Sequence, residues 1–382
     1  MDSYVGETNK ALRELLRCME FASCGPNQQK VVILQSAHFR FALAGWVGGE
    51  QMWARSTVHA LRELGYTFLY ASSLDRAVQL YQLFPTLVRA MVVEPEEADD
   101  CWLDTAHCLL SDENPDGIPA WKIFTFMFWT GPANPLGRRW TLSPEDYALE
   151  GHTPNIHLGY SVEPSCLLQP FLPAPDRPSA PPQAYLMTKR LAFLNAAWPA
   201  HFFAAAQNAT GISFVMGASW DGREGDGAEP PSLPEGVRNV GMMDQHAFLA
   251  EVARSRVLVG VGKPVASPTP YEALCLGVPF INPIMTWDRN NPTDRTKWDG
   301  QHGLLKLLDP PFVYNVFAED LDGFVAAIKG ALENPIERHV LERMRMSAVM
   351  ARVEGWLEHD WRREAAALLE SWEDNDEGLV SI

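Results

Sequence analysis

Short apolar runs alternate with amphipathic stretches along this chain, and their spacing predicts layered α/β structure. Val31-Val32-Ile33-Leu34 is uninterruptedly apolar and β-branched, which predicts a parallel strand buried on both faces. The glycine-rich stretch from Gly45 to Glu50 follows, then a helical pattern from Met52 to Leu64 that Gly65 stops. Tyr66 to Tyr70 predicts a second strand and Leu74 to Phe84 a second helix, and Met91 to Val93 and Ile123 to Phe128 continue the rhythm. Strand, loop, helix, strand is the signature of a sheet covered by helices. Pro164 to Pro182 then carries seven prolines, too many for a helix interior and suited to an interdomain connector.

Beyond that connector the rhythm restarts. Ala184 to Met187, a helix through Ala204, Ile212 to Met216 and a polar loop ending at Pro234 open a second half. Val237 to Val240, a helix from Asp244 to Ala253, Val257 to Gly260 and Phe280 to Asn282 extend it, and Leu321 to Leu332 and Glu337 to Leu369 are helical in pattern. The fold class expected is α/β with two Rossmann-like domains facing a cleft. The expected divisions are a first domain over residues 1–165, a linker over 166–183 and a second domain over 184–345. Residues 346–382 would be a long final helix bracing the first domain, ended by a solvated acidic tail around Glu373 to Glu377.

Composition narrows the function. The chain has 382 residues, 47% hydrophobic and 21% charged, ample for two packed cores. Its formal net charge of −17, with no local basic patch, argues against nucleic acid or an anionic membrane surface as partner. No run of about 18 apolar residues is present, since Ala196 to Ala218 is broken by His201, Gln207, Asn208 and Thr210. The N-terminus has neither the basic nor the apolar region of a signal peptide. Cys18 and Cys24 are spaced to close a small loop in an oxidising compartment, whereas Cys275, in an apolar run, reads as a buried thiol.

The most site-like segment runs from Val257 to Asn282. A buried strand ends in Gly260-x-Gly262, and a proline-rich loop leads to Pro270 at the start of a short helix. Amides in the first turn of that helix would hold a diphosphate, and Glu272 would accept from sugar hydroxyls. A nicotinamide site fits poorly, because the third glycine is missing and the acid comes about ten residues after Gly262 rather than the required twenty or so. His152 and His157, five apart with Pro154 between, cannot share a helix face as a zinc pair would. The Asp-x-Asp at Asp374-Asn375-Asp376 falls in the acidic tail, where a solvated segment is expected rather than a metal site. Trp129 and Trp140 suit either sugar stacking or core packing. Asn208-Ala209-Thr210 is a glycosylation sequon, meaningful only in a chain that enters the secretory pathway.

Ser255 to Pro283, with Pro268-x-Pro270-Tyr271-Glu272-Ala, resembles the donor segment of glycosyltransferase family 18, the alpha-1,6-mannosylglycoprotein 6-beta-N-acetylglucosaminyltransferases. Further blocks agree in order: Gly49-Glu50 through Ala60 to Gly65, Phe128-Trp129-Thr130-Gly131 through Trp140 to Pro144, His152-Thr153-Pro154-Asn155 to Gly159, and Ala184-Tyr185-Leu186-Met187-x-Lys189. Together they cover about residues 30–345. One departure stands out: Ala266 replaces an acidic residue of the animal enzymes. The resemblance implies a GT-B fold and metal-independent, inverting transfer of GlcNAc from UDP-GlcNAc to the 6-hydroxyl of an α-mannose in a glycoprotein N-glycan. It also implies the Golgi lumen, with no cofactor beyond the donor sugar. Lys189, Gly260, Gly262, Pro270, Tyr271 and Glu272 would bind the donor. Gly48, Gly49, Trp129 and Trp140 would lie on the acceptor side, with Glu50 as the catalytic base on its glycine loop at a strand end. The rival readings are a GT-B transferase with another donor or acceptor, and a non-catalytic glycan-binding protein on the same scaffold.

Overall fold

The computed structural model describes residues 3–46, 48–177, 181–220 and 232–374. The chain divides into two compact units, Met1–Ser161 with Glu342–Ile382, and Val162–Leu341. Asn375 onward, and much of the polar loop that ends at Pro234, lie outside the described residues.

In the first unit, α1 (Ser3–Glu20) precedes β1 (Val31–Leu34), α2 (Ala37–Leu43), α3 (Met52–Glu63) and β2 (Thr67–Tyr70). Next come α4 (Leu74–Leu83), β3 (Val88–Val93), α5 (Pro95–Leu103), β4 (Ile123–Phe126), β5 (Thr141–Ser143) and β6 (Ile156–His157). The strands form one parallel sheet in the order β2-β1-β3-β4-β5-β6. All four residues of β1 are buried, as an uninterrupted apolar run requires of a strand covered on both faces.

The second unit opens with α6 (Glu163–Cys166) and β7 (Gln183–Met187) and continues through α7 (Ala200–Thr210), β8 (Ser213–Met216) and β9 (Val237–Asn239). It goes on to α8 (Gln245–Arg254), β10 (Val257–Gly260), α9 (Thr269–Cys275), β11 (Phe280–Thr286), β12 (Asp299–Gly300), β13 (Val313–Phe317) and α10 (Leu321–Glu333). Its sheet runs β12-β11-β10-β7-β8-β9, with β13 also paired to β11, and is parallel apart from the short β12. Phe203, Phe214 and Phe324 centre its core with Trp198. The described part of the proline-rich segment is built into this unit. Cys166 forms a disulfide with Cys275, and the buried Arg177 donates to the carbonyls of Leu172, Ser255 and Gly277. Cys275 is therefore not a thiol. Its partner lies 109 residues away, beyond what local spacing reveals.

The C-terminal stretch returns to the first unit as two helices, α11 (Met346–Glu358) and α12 (Trp361–Asp374), rather than as one long helix. The chain between Asn334 and Leu341 is not helical, and the break at His359–Asp360 lets Asp360 accept from the amide of Arg363 at the start of α12. Trp356 and Trp361 both meet Phe124 of β4 edge-on, at 5.3 and 5.0 Å between ring centres. Two further disulfides, Cys18–Cys24 and Cys101–Cys108, lie in the first unit.

Candidate active site

In an open parallel sheet, ligands bind beyond the carboxyl ends of the strands at the point where strand order reverses. The first unit reverses between β1 and β3. Just past β1, Ser36 caps α2 and its hydroxyl donates to Glu94 Oε1 at 2.7 Å, while the Ala37 amide donates to the same oxygen at 2.8 Å. Glu94 follows β3 directly, so these bonds tie the two strand ends together at the reversal.

Glu50 is not on a loop leaving β1 directly, because α2 intervenes. It lies in a single 3-10 turn, Gly49–Gln51, that leads into α3. The carboxyl edge is still where it stands: Gln51 Nε2 donates to His38 Nδ1 at 3.4 Å, and His38 lies in the first turn of α2. The His38 ring meets Phe128, past the end of β4, edge-on at 5.5 Å and Trp53 at 5.8 Å. The Glu50 turn is thereby gathered with the Phe128–Gly131 loop, and Glu50 itself is exposed. A Cβ at Gly48 would come within 2.2 Å of Gln51 Oε1, so a side chain there would displace the Gln51 amide.

Trp129 is 53% exposed beside this group. Its loop is pinned by Asn155, whose amide donates to the carbonyls of Trp129 (3.3 Å) and Gly131 (2.9 Å), and by Arg138, which donates to the Thr130 carbonyl. The Phe128-Trp129-Thr130-Gly131 and His152-Thr153-Pro154-Asn155 blocks thus form one structure. Trp140 does not join them. It is 1% exposed, its Nε1 donates to the Trp121 carbonyl, and its ring packs on Trp361, so no sugar reaches it. His157 is half-buried with its Nε2 shielded from solvent, and desolvation with the nearby Arg352 and Arg343 charges pulls its pKa down to about 3. It is neutral, whereas His152 is exposed.

In the second unit strand order reverses between β7 and β10, which pair in parallel with Gly260 opposite Met187. Lys189 and Arg190 follow β7, and Lys263 follows β10. The Arg190 and Lys263 cations each stand 5.8 Å from the centre of the Phe193 ring, so both reach one place. Lys189 is exposed, and its carbonyl accepts from the Ser219 amide at 2.9 Å. Two cations thus meet at this reversal point, and Lys189 precedes one of them in the chain. Sequence reasoning found Lys189 only, since Arg190 and Lys263 gain meaning from the pairing of strands that lie 70 residues apart.

Gly260 and Gly262 are both held against Gln301 at this edge. A Cβ on Gly260 would come within 2.4 Å of Gln301 Oε1, and Gly262, at φ 96°, donates its amide to that same oxygen at 2.8 Å. The buried Gln301 also donates to the Pro264 carbonyl, so one side chain shapes the loop. The first turn of α9 is likewise occupied, against the expectation that its amides hold a diphosphate. Thr269 N donates to Ser267 Oγ, Tyr271 N and Glu272 N donate to the Pro268 carbonyl, and Pro270 has no N–H. Glu272 is 3% exposed, and its Oε1 accepts from Gln245 Nε2 at 2.7 Å. Tyr271 is buried against the edge of His302. Pro270, Tyr271 and Glu272 are thus all buried where α9 begins. At its far end α9 is fastened by the Cys166–Cys275 disulfide, by Arg177, and by Arg338 donating to the carbonyls of Cys275 and Gln169.

Two Rossmann-like units in series, with the chain returning to the first, define the GT-B class of glycosyltransferase folds. Residues 223–373 match the family model described as Glycosyltransferase family 18, a stretch that begins in the second unit and ends in the returning helices of the first. Gly260, Gly262, Pro270, Tyr271 and Glu272 fall inside the match, whereas Gly48, Gly49, Glu50, Trp129, Trp140 and Lys189 fall outside it. Over 139 residues the chain is 22% identical to the mouse and human proteins named Alpha-1,6-mannosylglycoprotein 6-beta-N-acetylglucosaminyltransferase B. That similarity takes in 34% of this chain and 18% of each relative. Among solved structures, a sucrose-phosphate synthase from Thermosynechococcus elongatus overlays with a TM-score of 0.45 at 14% identity, covering 91% of this chain and 99% of that one. AviGT4, a glycosyltransferase involved in avilamycin A biosynthesis, overlays with a TM-score of 0.46 at 16% identity, covering 88% and 98%.

Proposed function

We propose that the protein is an inverting glycosyltransferase that moves GlcNAc from UDP-GlcNAc to the 6-hydroxyl of an α-mannose in an N-glycan, forming a β-1,6 linkage without a metal ion. The observation that carries this reading is the family 18 match over residues 223–373, which takes in the loop and helix at the second unit's strand reversal. The names of the mouse and human relatives support the donor sugar and the linkage.

The proposed chemistry divides between the units. Lys189, Arg190 and Lys263 neutralise the diphosphate as it leaves, the role a metal ion would otherwise fill. Pro270, Tyr271 and Glu272 wall the nucleoside side, and Gln245 fixes the Glu272 carboxylate. On the first unit, Trp129 offers an exposed ring face for the acceptor sugar. Glu50 takes the proton of the 6-hydroxyl as that oxygen attacks the anomeric carbon from the face opposite UDP. The bond from that carbon to the diphosphate oxygen breaks, and the β-linked product leaves with Glu50 protonated. The pairing of all six cysteines supports an oxidising compartment such as the Golgi lumen.

The test is UDP release from a panel of nucleotide sugars with a biantennary N-glycan acceptor, in the presence of a chelator. Release confined to UDP-GlcNAc, with a β-1,6-linked product, is the expected result. Release with a different sugar nucleotide would select another donor, and no release with any of them would select a glycan-binding protein. Glu50→Gln keeps the shape and removes the basicity, so turnover should fall about 10²–10⁴-fold with donor affinity unchanged. Turnover within about threefold of wild type would place the base elsewhere.

A further inference from the structure

Two observations with no part in the transferase chemistry meet on α7. All six cysteines are paired, two disulfides in the first unit and one in the second, the pattern of a chain folded where thiols are oxidised. Asn208-Ala209-Thr210, the last turn of α7, is a sequon whose asparagine is exposed. The same helix turns Phe202, Phe203 and Ala206 into the core, so Asn208 lies on its outer face. Thr210 Oγ1 donates to the Ala206 carbonyl at 2.7 Å, and Gly211, in the left-handed conformation, ends the helix.

We propose that Asn208 carries an N-linked oligosaccharide. The co-reactant is a lipid-diphosphate-linked oligosaccharide of the secretory pathway. Asn208 Nδ2 bonds to the anomeric carbon of the first sugar and gives up one proton. The bond from that carbon to the diphosphate oxygen breaks, and the lipid diphosphate leaves with the electron pair. The transfer acts on the nascent chain, so the helical conformation of α7 in the folded unit is no obstacle.

The glycan is placed where it spares the donor residues. α7 delivers the chain to the start of β8, which is parallel to β7 and β10, so Asn208 lies at the amino edge of the sheet. Lys189, Lys263 and the loop to α9 leave from the carboxyl edge, a strand length of about 15 Å away. The sequence also holds a control. Asn291-Pro292-Thr293 is exposed, but proline in the middle position removes it as an acceptor.

The experiment is peptide mapping of the protein secreted from a eukaryotic host, before and after treatment with an N-glycosidase that turns a glycosylated asparagine into aspartate. Conversion at Asn208, an unmodified Asn291 peptide, and loss of one glycan mass in both Asn208→Gln and Thr210→Ala are expected, with Thr210→Ser restoring the glycan. An unmodified Asn208 in protein whose cysteines are paired would overturn the proposal. The UDP-release assay on the same material keeps the two readings apart. A glycan without transferase activity sinks only the proposed function, and activity without a glycan sinks only this site. Asn208→Gln should leave the rate of UDP release unchanged.

Discussion

Glu50 and Gln51 are neighbours in sequence with opposite fates: one carboxylate is exposed, and one amide is buried to donate to His38. That amide aims the turn, and it fits only because Gly48 has no side chain. Gly48 sits at φ −93°, where alanine is comfortable, so Gly48→Ala acts by displacing Gln51 alone. Unfolding free energy should change by less than about 1 kcal/mol, while turnover falls about tenfold to a hundredfold as the Glu50 turn shifts. Steady-state kinetics on Gly48→Ala, Gln51→Ala and the double variant check this, because two changes that break one contact should not add. Additive losses would show that the glycine and the amide act separately. The Gly-Glu pair is legible in the sequence. Its reliance on His38 is not, since the two meet only once α2 has folded back between them.

Helix α9 shows how far an element's surroundings outrun its pattern. Pro270 at the start and Gly277 at the end mark it in the sequence, and it forms where they predict. What occupies its amides was not readable, because the Ser267-Pro268 turn that takes them is a local conformation. What anchors it comes from distant chain: Cys166, Arg177 and Arg338. Burial pushes the Arg177 pKa down to about 10, so its guanidinium remains charged at neutral pH and satisfies carbonyls that would otherwise be orphaned. Arg177→Leu should destabilise the second unit by about 3–5 kcal/mol, two or three buried carbonyls losing their donor at once. Arg177→Lys should recover part of that loss, since one ammonium cannot reproduce the fork. Denaturant titration followed by tryptophan fluorescence measures both. A Leu variant within about 1 kcal/mol of wild type would remove Arg177 from the support of α9.

At the scale of the whole molecule the chain's end completes its beginning. Arg343 and Arg352 come from the returning segment and lie near His157 of β6, whose Nε2 is buried without a hydrogen-bond partner among the described residues. The folded state keeps this imidazole neutral down to about pH 3, whereas the unfolded chain protonates it near 6.5. The unfolded state therefore binds the extra proton, and stability is lost as pH falls between those values, by about 2 kcal/mol from pH 6.5 to 5. His157→Leu removes that share of the pH dependence. Chemical denaturation at pH 7 and pH 5 should show the wild-type advantage over the variant shrinking by about that amount, and an unchanged advantage would mean His157 protonates freely in the fold.

Apolar runs of four or five residues and the glycines and prolines between them were enough to determine, from the sequence alone, most of the strands, the α/β class and the strand ends at Lys189 and Gly260. Those signals are local, because burial on both faces of a strand and the end of a helix are each written within a few residues. Only the tertiary structure decided that Trp140 is core, that Cys275 is bridged, that the last helix is two, and that Arg190 and Lys263 meet at Phe193. Each of these depends on which strands become neighbours, and strand order is set by the packing of the whole sheet rather than by any one segment of it.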